Sequence, residues 1–133
     1  MRMVSVSDIL SAISDDKALV LFKILAIDRH DSDILINKIK LTRKQYYTRM
    51  SGLMKAGLVK RKNGKYFLSA FGKIVYDAQL VIENAVNNYW KLKAIDSLGI
   101  SDIDNKLPKE EVAKLMDTLI DNEQIRAIIE KKL

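Results

Sequence analysis

Apolar residues recur at helical spacing along most of this chain, and the rhythm stops at residues that cap helices or turn the backbone. Ser7 can cap a short helix through about Ile13. Ser14 or Asp15 can open a second helix reaching Ile27, with Ala18, Leu21, Phe22, Leu25 and Ala26 on one inward face. In DRHDSDILINKIK, Asp31 or Ser32 is a natural N-cap, and Ile34, Leu35 and Ile39 supply the buried positions of a third, short helix. Thr42 and Gln45 stand three residues apart, the spacing of a capping box, so a fourth helix starts there and runs to Ala56, where Gly57 stops it.

The period then changes. LVKRK-NG-KYFLS holds two short β-prone runs joined by Asn63 and Gly64, residues that tolerate the positive φ angles of a type I′ turn. Three helices followed by a basic hairpin is the element order of a winged helix-turn-helix domain. From about Ala70 the helical pattern returns with no breaker before Gly99, which predicts one helix of roughly 28 residues, about 42 Å long. Phe71, Val75, Ala78, Ile82, Ala85, Tyr89 and Leu92 form a heptad-like seam along it. In the tail, Pro108 suits a first helical position, and Val112, Leu115, Met116, Leu119 and Ile120 share one face. Ile125, Ile128 and Ile129 continue that face after a break at Asp121 and Asn122. The predicted fold class is mainly α: a winged helix-turn-helix domain (residues 1–76) with a two-stranded β-wing, then a long dimerisation helix and C-terminal helices (residues 77–133).

Charge sharpens the picture. The net charge is +6, yet residues 36–73 carry 11 basic groups and no acidic one, while every other part of the chain is slightly acidic. Unbalanced like charge raises the energy of a compact state, and a polyanion would remove that cost. Nucleic acid is the leading candidate and an anionic membrane the second. A membrane-surface role would set the cations opposite an exposed apolar helical face, whereas here four of the 11 lie on a short hairpin.

The run ILSAISDDKALVLFKILA, a short helix, and then LTRKQYYTRMSGLMKAGLVKRKNGKYFLSAFGKIVY resembles the ArsR-like and MarR-like winged-helix transcription regulators of bacteria and archaea. The resemblance covers roughly residues 8–76 and rests on L-T, then L-x-K-A-G-L-V before the hairpin, then L-S-x-x-G. It implies a recognition helix over residues 42–56 in the major groove of double-stranded DNA, a wing over residues 58–69 beside it, and a homodimer on a pseudo-palindromic operator. Metal-sensing members of the ArsR-like group use cysteines; this chain has none, so thiol-based metal sensing is out. A small-molecule effector between the long helices and the DNA-binding cores is compatible with that architecture, and the sequence identifies none.

Helical geometry tests the recognition helix independently. With Tyr46 directed at the core, Met50 and Leu53 fall within about 40° of it, and Lys44, Thr48, Ser51 and Lys55 point away. The expected DNA contacts on this helix are Thr42, Arg43, Lys44, Gln45, Tyr47, Thr48, Arg49, Ser51 and Lys55, with Gln45 also committed to the capping box. Those on the wing are Lys60, Arg61, Lys62, Asn63 and Lys65. A two-residue turn sets Lys62 opposite Lys65, a like-charge pair that costs a few tenths of a kcal/mol or more and that a phosphate backbone would reverse. Gly52 inside the helix costs about 0.5 to 1 kcal/mol against alanine; either the cost is tolerated or its backbone approaches DNA or a neighbouring helix closely. Ile82, Ala85, Tyr89, Trp90, Leu92 and Ile95 need a cover that residues 1–70 can hardly reach, which makes them the expected dimer interface, with C-terminal helices folding back as the other source of cover.

Other chemistry is poorly supplied. His30 is the only histidine and, without cysteine or a second histidine, cannot anchor an ordinary zinc site; it is expected in a surface connection. No phosphate-binding glycine loop, nucleophile elbow or zinc-protease pattern is present, so neither catalysis nor a cofactor is expected. The acidic pairs Asp31/Asp33 and Glu110/Glu111 suit helix starts. The absence of cysteine, of a bilayer-length apolar run and of a signal-peptide core in MRMVSVSDIL points to a cytoplasmic protein. The reading that follows is a sequence-specific, homodimeric DNA-binding transcription regulator. A winged-helix protein-interaction module in a transcription or repair assembly, its basic face on an acidic partner, is the alternative.

Overall fold

A computed structural model describes residues 4–27, 32–99 and 107–132. Among these residues eight helices and one hairpin follow in order: α1 Val6–Ala12, α2 Asp16–Ile27, α3 Ser32–Ile39, α4 Arg43–Lys55, β1 Val59–Lys62, β2 Lys65–Leu68, α5 Ala70–Asn87, α6 Tyr89–Ser97, α7 Lys109–Leu119 and α8 Glu123–Lys131. The protein is thus mainly helical with a small two-stranded antiparallel sheet. No helix among the described residues is long and apolar enough to cross a membrane. His30 and Asp31 lie outside the described residues, as do the side chains of Asp33 and Ile34.

The chain divides into two compact units, Met1–Asp77 and Ala78–Leu133, with the division inside α5. The core of the first unit gathers Leu21, Phe22 and Leu25 of α2, Leu35, Ile36 and Ile39 of α3, Tyr46, Met50 and Leu53 of α4, and Val59, Tyr66 and Leu68 of the hairpin. Val75 and Tyr76, from the start of α5, pack against it. Phe22 meets Tyr76 edge-on at 6.2 Å between ring centroids, and Tyr46 meets Tyr66 at 6.3 Å, geometry that suits the ring quadrupoles. Ser5, not Ser7, caps α1, exchanging bonds with Asp8 in a capping box; the helix therefore starts one residue before Ser7. Asp15 caps α2 by accepting from the Ala18 N–H at 3.0 Å.

The second unit centres on Ile95, Val112, Met116, Ile120 and Ile125, with Val81, Ala85, Leu92, Leu115, Leu119 and Ile129 packed against them. The C-terminal helices α7 and α8 therefore supply the cover for that side of α5 and α6 from within the same chain. Pro108 is the N-cap residue of α7, one position earlier than its expected place. The break at Asp121 and Asn122 is present, and Asn122 caps α8 by accepting from the Ile125 N–H at 3.0 Å.

Two expectations are corrected here. The single helix from Ala70 to Gly99 is interrupted at Asn88: α5 ends at Asn87 and α6 starts at Tyr89. Asn88 has φ −109° and ψ 18°, and its side-chain amide donates to the Asn84 carbonyl at 2.8 Å, sharing that acceptor with its own backbone N–H at 3.1 Å. Ile95, expected in a dimer interface as an apolar residue in need of cover, is 2% exposed and buried in the core of its own unit. Ala85 and Leu92 pack against the same core. Of that predicted interface, Ile82, Tyr89 and Trp90 remain at the surface.

Candidate nucleic-acid interface

α4 is built by local rules. Thr42 Oγ1 accepts from the Gln45 N–H at 3.1 Å, and Gln45 Oε1 accepts from the Thr42 N–H at 3.0 Å, closing the box. At the other end Gly57, with φ 79°, takes the left-handed conformation that terminates the helix, and its N–H donates to the Met54 carbonyl at 2.9 Å. Tyr46, Met50 and Leu53 are fully buried, so the opposite face is fixed outward. Thr42, Arg43, Lys44, Gln45, Tyr47, Thr48, Ser51 and Lys55 are all exposed. Tyr47 stands edge-on to Tyr46 at 5.0 Å, so the buried ring orients the exposed one. Burial pushes the Tyr46 phenol above its ordinary pKa; its hydroxyl donates to Ser32 Oγ at 3.2 Å.

Arg49 differs from the others. Its Nε lies 2.6 Å from Asp15 Oδ2, its Nη1 is 3.4 Å from the Gln45 carbonyl, and its side chain is 27% exposed. The same carboxylate oxygen that caps α2 thus holds α4. The Arg49 hydrogen bond and the Ala18 N–H together keep the Asp15 carboxyl below the usual carboxylate range. Arg49 is therefore tied to the flank of its own unit, where a contact with DNA would have to compete with Asp15. The sequence shows the arginine as one more cation of the basic run; its partner, 34 residues away, belongs to an acidic stretch and carries no local signal.

The hairpin has the expected register, Val59↔Leu68, Lys60↔Phe67, Arg61↔Tyr66 and Lys62↔Lys65. Asn63 and Gly64 adopt φ 54° and 76°, as a type I′ turn requires. Alternation along each strand puts Val59, Tyr66 and Leu68 inward and Lys60, Lys62 and Lys65 together on the outer face. Arg61 belongs to the inner set: its guanidinium lies over the Tyr66 ring, 5.6 Å from the centroid. Among the described residues no carboxylate lies within ion-pair distance of Lys44, Lys55, Lys60, Lys62 or Lys65.

Ser69 ties the hairpin to α5. Its hydroxyl donates to the Gly57 carbonyl at 2.5 Å while accepting from the Gly72 N–H at 2.8 Å, so one side chain satisfies the end of α4 and caps α5. A Cβ at Gly72 would stand 2.0 Å from the Leu58 carbonyl oxygen, which explains the serine and glycine of L-S-x-x-G in this chain. Gly52, by contrast, is exposed and would meet nothing within 4 Å, so no neighbouring helix requires it.

Among the described residues no group of three or more histidine, aspartate or glutamate side chains gathers as for a metal ion. Comparison with protein-family models, with curated proteins and with solved structures finds no match to this chain.

Proposed function

We propose that this protein is a sequence-specific double-stranded DNA-binding transcription regulator of winged helix-turn-helix type, acting as a homodimer. α4 would enter the major groove, presenting Lys44, Tyr47, Thr48, Ser51 and Lys55 to base edges and phosphates, while Lys60, Lys62 and Lys65 on the outer face of the hairpin grip the flanking backbone. In a dimer two copies of α4 would sit about one helical turn apart on the duplex, roughly 34 Å.

One observation carries this reading: five exposed lysines, without carboxylate partners among the described residues, stand on two consecutive elements, α4 and the hairpin. A turn that sets Lys62 against Lys65 makes the isolated protein electrostatically unfavourable at that point, and a line of phosphates reverses the sign. The dimer is supported by the exposure of Ile82, Val86, Tyr89 and Trp90, apolar side chains that the second unit leaves uncovered.

Fluorescence anisotropy of a labelled duplex, titrated at several salt concentrations, tests the proposal. The expected result is binding at low ionic strength that weakens with a log-log slope near −0.9 for each phosphate neutralised. Selection from a library of genomic fragments should then enrich particular sites over random sequence. Protein that leaves duplex DNA unbound at low salt would overturn the reading.

A further inference from the structure

The chain has five glycines, and the fold accounts for four of them. Gly57, Gly64 and Gly99 have φ of 79°, 76° and 70°, and Gly72 is pressed against the Leu58 backbone. Gly52 meets neither condition. It lies inside α4, outside the positive-φ set, with open space where its side chain would be. Glycine weakens a helix interior relative to alanine, and among the described residues no contact at Gly52 offsets that weakness.

The surroundings suggest what does. Gly52 lies one helical turn after Thr48 and three residues before Lys55, so it borders the outward face from which the proposed DNA contacts project. On its other side runs a groove lined by Asp8, Ser11 and Ala12 of α1 and by Gly52 and Lys55 of α4. Ser11 and Lys55 bring a hydroxyl and an ammonium to that groove. The Asp8 carboxylate is turned to its own helix start, where Oδ2 accepts from the Ser5 N–H at 3.2 Å.

We infer that Gly52 is the point at which a DNA sugar–phosphate strand comes closest to α4, lying along the groove between α1 and α4 with a phosphate between Ser11 and Lys55. A Cβ at this position would project into the groove and hold the strand away from the helix. The contact would extend the footprint beyond the face predicted from helical rotation and bring α1 into it. It would also fix how deeply α4 seats, making Gly52 a positioning residue for binding. This inference rests on the duplex-binding reading above.

Three proteins decide it: the full chain, Gly52→Ala and Ser11→Ala, each measured for thermal stability and for affinity to one labelled duplex at fixed and varied salt. Gly52→Ala should raise Tm by about 2–5 °C, since alanine is the better helix former. It should also weaken duplex affinity about tenfold or more and lower the salt slope by about one phosphate. Ser11→Ala should leave Tm nearly unchanged and weaken affinity in the same direction. A Gly52→Ala protein that binds as tightly as the parent, or more tightly, overturns the inference and leaves the duplex reading standing. A lowered Tm for Gly52→Ala also overturns it, because the fold itself would then require the glycine. Failure of the unaltered chain to bind any duplex removes the broader reading and this inference with it, and is recognised without either variant.

Discussion

Asp15 acts on two elements through one carboxylate, and this gives it a pH signature. Its folded-state pKa is depressed, chiefly by Arg49 and then by the Ala18 N–H, so the stability it contributes is present above the unfolded pKa and is lost as pH falls through the folded one. Asn in its place keeps the capping oxygen but loses the charge. Asp15→Asn should therefore be less stable than the parent at pH 7, and the difference should shrink below about pH 4, as read by urea denaturation at both pH values. Gly72→Ala acts through contact instead: the added Cβ meets the Leu58 carbonyl at 2.0 Å, backbone that cannot swing away. A loss of about 1–3 kcal/mol is expected in the same experiment. At this scale, residues whose roles are set within four positions were legible in the sequence: Thr42 with Gln45, Asn63 with Gly64, and Tyr46 with Met50. Arg49 was not, because its partner comes from another element and only the folded chain brings the two together.

The hairpin shows an element whose own stability and whose proposed use pull in opposite directions. Replacing Lys65 by glutamate converts the Lys62↔Lys65 pair from repulsive to attractive and should stabilise the isolated protein by about 0.2–1 kcal/mol. The same change removes one cation from the outer face and adds an anion, so duplex affinity should fall severalfold or more at low salt and the salt slope should flatten. Tm and anisotropy moving in opposite senses would separate a DNA-binding hairpin from an ordinary charged surface, for which only Tm should move. The elements themselves followed the sequence pattern wherever caps and turn residues are explicit, as in α4, the hairpin and α8. The break at Asn88 escaped because asparagine is a weak signal inside an apolar period: its amide can face water or, as here, share the Asn84 carbonyl with its own backbone N–H. The seam along α5 and α6 was equally ambiguous. Spacing marks Ile82, Ala85, Leu92 and Ile95 alike as apolar, and only the position of α7 and α8 divides them into residues covered by this chain and residues left bare.

That division makes the proposed dimer testable at the scale of the whole molecule. Ile95, 2% exposed, belongs to the core of the second unit, and Ile95→Ala should cost about 2–5 kcal/mol whatever the oligomeric state. Ile82, Val86 and Trp90 are 57%, 66% and 79% exposed, so Trp90→Ala or Ile82→Lys leaves that core untouched. A stable specific interface buries about 800 Å² on each partner, and a large exposed tryptophan beside Tyr89 is the kind of residue that dominates such a surface. Light scattering should give twice the mass of one chain for the parent and a shift toward the single-chain mass for the Trp90 and Ile82 variants. Both halves of a pseudo-palindromic site are read with one loss of rotational freedom when the protein is dimeric, so separating the protomers removes the gain in effective concentration. The same two variants should therefore bind an isolated half-site nearly as well as the parent, yet lose about 100-fold or more on a full site at protein concentrations where the parent is saturated. Equal losses on half-site and full site would instead place Trp90 and Ile82 in direct contact with the duplex, and no loss on either would leave the exposed patch to some partner other than a second copy of this chain.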